Sequence, residues 1–435
     1  MGSITQTVES IVGASQVTRL DAVTDHLKGK VERAIAAALL PDCVVYPQTP
    51  EQLAEVVACA HQNQWRLLPC GQGSKLDWGG LITGADLVVS TQSLNQVIEH
   101  AAGDLTVTAQ AGVSFAALQA DLLKTRQFLA IDPAYPDQAT LGGIVATRDT
   151  GALRQRFGGI RDMLIGVSFV RHDGQIAKAG GRVVKNVAGY DLMKLLTGSF
   201  GTLGVLTQLT WRTYPLSEAS QTVLLIGDAS AIQPVTAAIL QSSLTPVKLD
   251  VLSAGLLPEA PPAALGLAVQ FQSIAAGVAE QVERLQAIAQ SHTLHFQDFS
   301  DQAETQFWQS IQTALFAATE TEWAIAKLGV LPAQVVDVVA ALHQVLAPNT
   351  WQVRLHASSG IGTLSLSAER NSVKQLQALR SRCQAAGGYL NLLAAPTDWK
   401  QSCDPWDIDT STQKLMSRLK ANFDPKGRFS PGRMG

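Results

Sequence analysis

The hydrophobic pattern first takes on helical spacing in residues 50–63, where Leu53, Val56, Val57 and Ala60 fall on one face. Thr49 stands ahead of them as a cap, Pro50 suits the first helical position, and Gln52 is placed to close a capping box. WRLLP then reads as a strand running into a glycine-rich turn at Gly71 and Gly73. ADLVVS predicts another strand, as does LTVTAQAG with Leu105, Val107 and Ala109 alternating up to Gly112. SFAALQADLLKT predicts a helix capped by Ser114, and residues 1 to about 40 read as a helical lead-in through ERAIAAALL. From Gly142 to Gly204 glycines crowd the chain, interrupted by the strand MLIGVSFV and closed by VLTQLTWRTYP. This is not the strand–helix rhythm of a doubly wound sheet; it predicts an α+β domain whose loops carry the function.

Beyond Pro215 the alternating runs TVLLIGD, VKLDVLS, LGLAVQFQ, EWAIAKLGVL, WQVRLHAS, IGTLSLSA and GGYLNLLA predict strands. Between them GVAEQVERLQAIAQ, PAQVVDVVAALHQVL and SVKQLQALRSRCQAAG show helical spacing. That order predicts a second domain of strand–helix–strand units on one antiparallel sheet. From about residue 396 a tail of different composition follows, with a short helical piece and FDPKGRFSPGR.

Composition narrows the classes. The 435 residues are 46% hydrophobic and 16% charged, as expected of packed domains with room for a surface covered by a partner. With 33 basic against 36 acidic residues, the chain offers no concentrated basic face and is not expected to bind nucleic acid. The amino terminus lacks the basic and apolar regions of a secretory signal. No run of 18 apolar residues occurs, so no membrane span is expected, and attachment through another subunit is left open. Cys43, Cys59, Cys70, Cys383 and Cys403 form neither a Cys-x-x-Cys pair nor an iron–sulfur spacing and read as free thiols.

Four glycine-bearing segments stand out. Pro69-Cys70-Gly71-Gln72-Gly73-Ser74 directly follows a strand, and its backbone N–H groups can converge on an anion such as a diphosphate. On its own it is equally an ordinary tight turn, and it lacks both the Walker ending and a full GxGxxG. The second segment runs from Thr140-Leu141-Gly142-Gly143, close after Asp132-Pro133, to Arg156-Phe157-Gly158-Gly159. Lys185-Asn186-Val187-Ala188-Gly189-Tyr190-Asp191 and Gly198-Ser199-Phe200-Gly201-Thr202-Leu203-Gly204-Val205 complete the set. So many glycines are conformationally costly unless a long, partly anionic molecule is wrapped by them.

Together these segments resemble the PCMH-type FAD-binding domain of the vanillyl-alcohol oxidase superfamily, over roughly residues 39 to 218. The ending Phe423-Asp424-Pro425-Lys426-Gly427 with Ser430-Pro431-Gly432-Arg433 is similar to the group's DPxGxxNPGR, Ser430 replacing the usual asparagine. The resemblance implies a lead-in at 1–38, the FAD domain at 39–218, an α+β cap domain at 219–395, and a segment at 396–435 returning to the FAD domain. It implies FAD contacts from Pro69, Cys70, Gly71, Gln72, Gly73, Ser74, Pro133, Thr140, Gly142, Gly143, Ala146 and Thr147. Arg156, Gly158, Lys185, Asn186, Tyr190, Gly204 and Val205 complete that implied set. Lys185, Asn186 and Tyr190 match a stretch near the flavin, without deciding which of them reaches it. Because no histidine lies between His61 and His100, the expectation is non-covalent FAD.

The KNVAGYDLMKLLTGSFGTLGVLT run and the DPKGRFSPGRM ending are most similar to the E-subunit family of bacterial glycolate oxidases. That resemblance implies an accessory or electron-transferring role beside a catalytic flavin subunit and an iron–sulfur subunit, in the cytoplasm or peripheral on the inner membrane. Catalytic relatives carry His-x-Gly-Asp-Gly-Asn-x-His; here the stretch is His356-Ala357-Ser358-Ser359-Gly360-Ile361-Gly362, without the aspartate and second histidine, so no metal is expected. His356, Arg354 and Lys327 are the candidates for acid–base work and carboxylate binding, each weighed against a structural or surface role. His292 and His295 read as an exposed strand, and Trp399 and Trp406 as packing residues. Two other readings stay open: a self-sufficient FAD-linked 2-hydroxy-acid dehydrogenase, and a structural subunit without flavin.

Overall fold

The computed structural model describes residues 3–36, 39–182, 189–257, 260–316 and 323–434. The chain forms two compact units, one of residues 1–150, 158–216 and 408–435, the other of residues 151–157 and 217–407.

In the first unit, strands Val17–Arg19, Cys43–Val45, Leu87–Ser90 and Leu67–Cys70 lie side by side in that order. The first pairing is antiparallel and the other two are parallel. Val17–Arg19 lies within the stretch read as helical; three residues are too few to show a period, and pairing with Cys43–Val45 makes the strand. Alternation places Cys43 and Val45 against helix Pro50–Asn63, while Val44 faces helix Asp25–Ala34. The cap on Pro50–Asn63 differs in detail from the sequence reading. Thr49 Oγ1 accepts from the Gln52 N–H at 3.1 Å, but the Gln52 side chain accepts from Gln48, one residue before the cap.

A second sheet in this unit orders Val97–Ala101, Thr106–Gln110, Val205–Arg212, Leu164–Val170 and Ile176–Gly180, all antiparallel. All seven residues of Leu164–Val170 are buried, which is why that strand reads as a continuous apolar run. Ser114 caps helix Phe115–Leu123, accepting from the Ala117 N–H at 3.2 Å.

The second unit is built on eight antiparallel strands, ordered His295–Ser300, Ala219–Gly227, Leu265–Ser273, Lys248–Ser253, Trp351–His356, Ile361–Ser367, Trp323–Gly329 and Tyr389–Ala394. One face packs Val223, Leu249, Val251, Val353, Leu355 and Leu364 against helices Ala229–Gln241, Ala275–Ala289, Val335–Leu342 and Val373–Ala385. His295–Ser300 is an edge strand with mostly exposed side chains. Helix Asp301–Phe316 covers part of the opposite face through Trp308, Ile311 and Leu315. Its apolar stripe is hard to see in the sequence because the first buried position is an acid. Glu304 Oε1 accepts from Thr222 Oγ1 at 2.6 Å and Gln270 Nε2 at 2.9 Å, and Trp308 Nε1 donates to Thr222 Oγ1 at 2.9 Å.

Buried polar groups are stable only while their partners are present. Glu304→Leu is therefore expected to lower the unfolding free energy by about 1–3 kcal/mol, and Glu304→Gln, which keeps an acceptor oxygen, by less. Urea-unfolding midpoints measure both.

Candidate functional site

Strand Leu67–Cys70 delivers the chain to a loop pressed against the start of helix Leu141–Thr147. A Cβ on Gly71 would lie 2.0 Å from Thr140 Oγ1, so only glycine allows this approach. Gly73 has φ +85°, a second position that side chains disfavour. Thr140 is held in place because its Oγ1 accepts from the Gly143 N–H at 3.2 Å.

Between these segments and residues 199–206 lies a cleft of about 740 Å³, counting space open to solvent. Its walls are not equivalent in what they offer an anion. Leu141 and Gly142 donate their N–H groups to Val113 and Ala111, and Gly143 donates to Thr140, so the helix start has already used its donors. Among the described residues, the backbone N–H groups of Gly71, Gln72, Gly73, Ser74 and Lys75 donate to no acceptor in the chain. Successive amides of this kind form an anion-binding concavity, and their hydrogen-bonding capacity is met by solvent or by a ligand. The loop fits a diphosphate on this ground.

The cleft's side chains add packing more than charge. Lys75 Nζ is paired with Asp149 Oδ2 at 2.6 Å, and Asp149 also accepts from the Ala134 N–H at 3.0 Å. Burial pushes the Cys70 thiol up to about 12, with a hydrogen bond to Ser90 acting the other way, so it stays protonated at neutral pH. Among the described residues no histidine lines the cleft.

Of the sequence-derived candidates, Pro69, Cys70, Gly71, Gln72, Gly73, Ser74, Thr140, Gly142, Gly143, Ala146, Thr147, Gly204 and Val205 line this cleft. Pro133 is buried outside the lining, and Tyr190 is 90% exposed. Arg156 is exposed, in the segment that belongs to the second unit. Gly158 has φ +82° and sits against Asp162, whose Oδ2 accepts from the Gly159 N–H at 2.8 Å, so a local turn accounts for that glycine. Lys185 and Asn186 lie outside the described residues. Ser199, Phe200 and Gly201 also line the cleft, and their glycine-rich setting was the signal for them. Arg433, from the ending similar to DPxGxxNPGR, lines it too, as do Trp78 and Thr91, which nothing in their spacing marks.

In the second unit Arg354 and His356 share one buried carboxylate. Arg354 Nε donates to Asp250 Oδ2 at 2.7 Å, and His356 Nδ1 lies 2.6 Å from Asp250 Oδ1. Asp250 is fully buried on the sheet face opposite the main core, opposite His356 in register. Burial alone would raise its pKa. The charges of Arg354 and His356 and their hydrogen bonds more than reverse this and hold the carboxyl well below the usual carboxylate range. Sequence reasoning passed over Asp250; the signal was a single acid at an alternate position of the apolar strand VKLDVLS. Lys327 is on the same face: Arg354 pairs with Thr363, Thr363 with Lys327, and Lys327 with Asn391 across four neighbouring strands. Among the described residues no group of three His, Cys, Asp or Glu side chains could hold a metal ion.

Comparison with known proteins agrees with the geometry of the first unit. Residues 41–180 match the family described as FAD binding domain. Glycolate oxidase subunit GlcD of Bacillus subtilis is 26% identical over 431 residues, covering 91% of this chain and 89% of that protein. Glycolate oxidase subunit GlcE of Escherichia coli is 34% identical over 171 residues, covering 39% of this chain and 48% of that subunit. The structure of p-cresol methylhydroxylase superposes with a TM-score of 0.78 at 14% identity, over 99% of this chain and 96% of that one. A 4-ethylphenol oxidase from Gulosibacter chungangensis gives 0.74 at 13% identity, over 99% and 96%. Residues 41–180 thus carry an FAD-binding domain, and the chain shares the α+β fold of these two structures.

Removing Asp250 leaves the buried Arg354 guanidinium and the His356 ring without the carboxylate between them. Asp250→Ala is expected to cost about 3–5 kcal/mol at pH 7. Because the folded-state pKa is depressed, the carboxylate's contribution is complete above its unfolded value of about 4 and is lost as pH falls through the folded value. The stability gap between wild type and variant should therefore narrow below about pH 4, as urea titrations across pH will show.

Proposed function

We propose that this chain is an FAD-linked dehydrogenase of short 2-hydroxy acids, of the glycolate and D-lactate type. The observation that carries the reading is the similarity to glycolate oxidase subunit GlcD along almost the whole of both chains, which includes the second unit as well as the FAD domain. Similarity to the mitochondrial D-lactate dehydrogenase [cytochrome] of Arabidopsis thaliana, 26% over 310 residues and 53% of that protein, points to the same substrate class. In this reading the cleft residues, with the Gly71–Lys75 amides on the diphosphate, are the FAD contacts. FAD, when bound, supplies the acceptor for hydride from the carbon bearing the hydroxyl.

Oxidising such an acid also needs a cation for the carboxylate and a base for the hydroxyl proton. The second unit carries both residue types on one sheet face. Lys327 and Arg354 flank Thr363 in register, and Asp250 orients His356 by holding its Nδ1. A charge-assisted contact from either cation suits a carboxylate. This gives His356, Arg354 and Lys327 their candidate roles as base and carboxylate ligands.

One observation favours a second reading, an FAD-binding accessory subunit that passes electrons within a glycolate-oxidising assembly. His356 is followed by Ala357-Ser358-Ser359-Gly360-Ile361-Gly362, which lacks the acid and second histidine of catalytic relatives. A separate catalytic flavin subunit and an iron–sulfur subunit would then be its partners. Among the described residues no helix is long and apolar enough to cross a membrane.

An anaerobic visible spectrum of the purified chain decides between the two. Bleaching of the flavin band by glycolate or D-lactate is expected from a dehydrogenase, with Lys327→Met raising KM for the acid at least tenfold and leaving FAD content unchanged. A flavin band that neither acid bleaches contradicts the first reading and supports the accessory role. Independently, Gly71→Ala, which drives a methyl group into Thr140, is expected to purify with less than a tenth of the wild-type flavin.

A further inference from the structure

The chain ends beside the cleft. After helix Thr410–Phe423 the tail turns back along Leu67–Cys70: Leu67 N–H donates to the Arg428 carbonyl at 2.8 Å, and Ser430 N–H donates to the Leu67 carbonyl at 2.9 Å. Asp424 secures the turn by accepting from the Phe429 N–H at 2.7 Å. Two cations of this segment then reach two different walls. Arg433, only 3% exposed, donates through Nη1 to the carbonyls of Leu76 at 2.9 Å and Trp78 at 2.7 Å. Those carbonyls close the loop whose preceding amides are unspent. Lys420 Nζ, paired with Asp424, donates to the Thr202 carbonyl at 2.7 Å and the Phe429 carbonyl at 2.7 Å. Thr202 belongs to the glycine-rich segment that forms the facing wall.

We propose that residues 420–433 are a clasp on the cofactor cleft, in which Arg433 and Lys420 are positioning residues for FAD binding. The proposal rests on the reading that FAD occupies this cleft. A guanidinium that holds the Leu76 and Trp78 carbonyls fixes the peptide planes just after the loop and so limits how far the Gly71–Lys75 stretch can move. A loop so held loses little further freedom when an anion arrives, so the clasp raises affinity by preorganisation. Burial lowers the Arg433 pKa to about 10, with Asp77 acting the other way, so the guanidinium remains charged at neutral pH.

The test compares wild type with Arg433→Met, Arg433→Lys and Lys420→Met. Affinities for FAD and for ADP are measured by titration, and melting temperatures with and without FAD. The clasp predicts that Arg433→Met weakens FAD and ADP alike by at least tenfold, that Arg433→Lys recovers part of the loss, and that the FAD-dependent rise in melting temperature shrinks. A merely structural role lowers the melting temperature of both forms equally and leaves Kd unchanged; that result overturns the proposal. Should Arg433→Met fail to fold, Arg433→Lys and Lys420→Met carry the same test, and wild-type Kd in both overturns it. Wild-type protein that takes up neither FAD nor ADP overturns the underlying reading of the cleft, a different outcome from intact binding in the variants.

Discussion

Five consecutive residues, Gly71 through Lys75, line a cleft, and among the described residues their backbone N–H groups meet no acceptor. Much of the surrounding first unit can be understood as the structure needed to hold them there. Strand Leu67–Cys70 aims the loop, and Gly71 allows it to touch Thr140 at a distance no side chain would permit. The salt bridge from Lys75 to Asp149 pins the far side. The facing helix start has used its own donors internally, so the anion-binding character belongs to the loop and not to the helix.

The second unit follows a different logic. Its eight-stranded sheet presents one face to an aliphatic core and keeps polar residues on the other. There Asp250 binds Arg354 and His356 together, while Thr222, Gln270 and Glu304 meet beneath Trp308. Leaving such groups in place of aliphatic packing gains little stability, because desolvating them offsets most of what their pairing returns. A face built at that cost is consistent with chemistry, and the candidate base and cations all lie on it.

Most of the regular structure was legible in the sequence. The alternating runs from TVLLIGD to GGYLNLLA are strands of one antiparallel sheet, and the glycine loops at Pro69–Ser74 and Thr140–Gly143 meet at one cleft. What was illegible had physical reasons. Val17–Arg19 is a strand only because a neighbour pairs with it, and helix Asp301–Phe316 hides an acid at the first position of its buried stripe. Asp250 was overlooked because its partners are more than a hundred residues away in sequence, at 354 and 356. The ending that holds Arg433 was marked by its motif, but its bonds to Leu76 and Trp78, more than 350 residues earlier, are set by the fold.

Hydrogen–deuterium exchange over residues 70–78, with and without FAD, tests the central claim most directly. Free amides in an ordered loop exchange quickly when only water meets them. The account predicts that FAD slows exchange at Gly71–Lys75 more than anywhere else in the first unit. FAD binding that leaves these amides as fast as before, with protection confined to other segments, would contradict it.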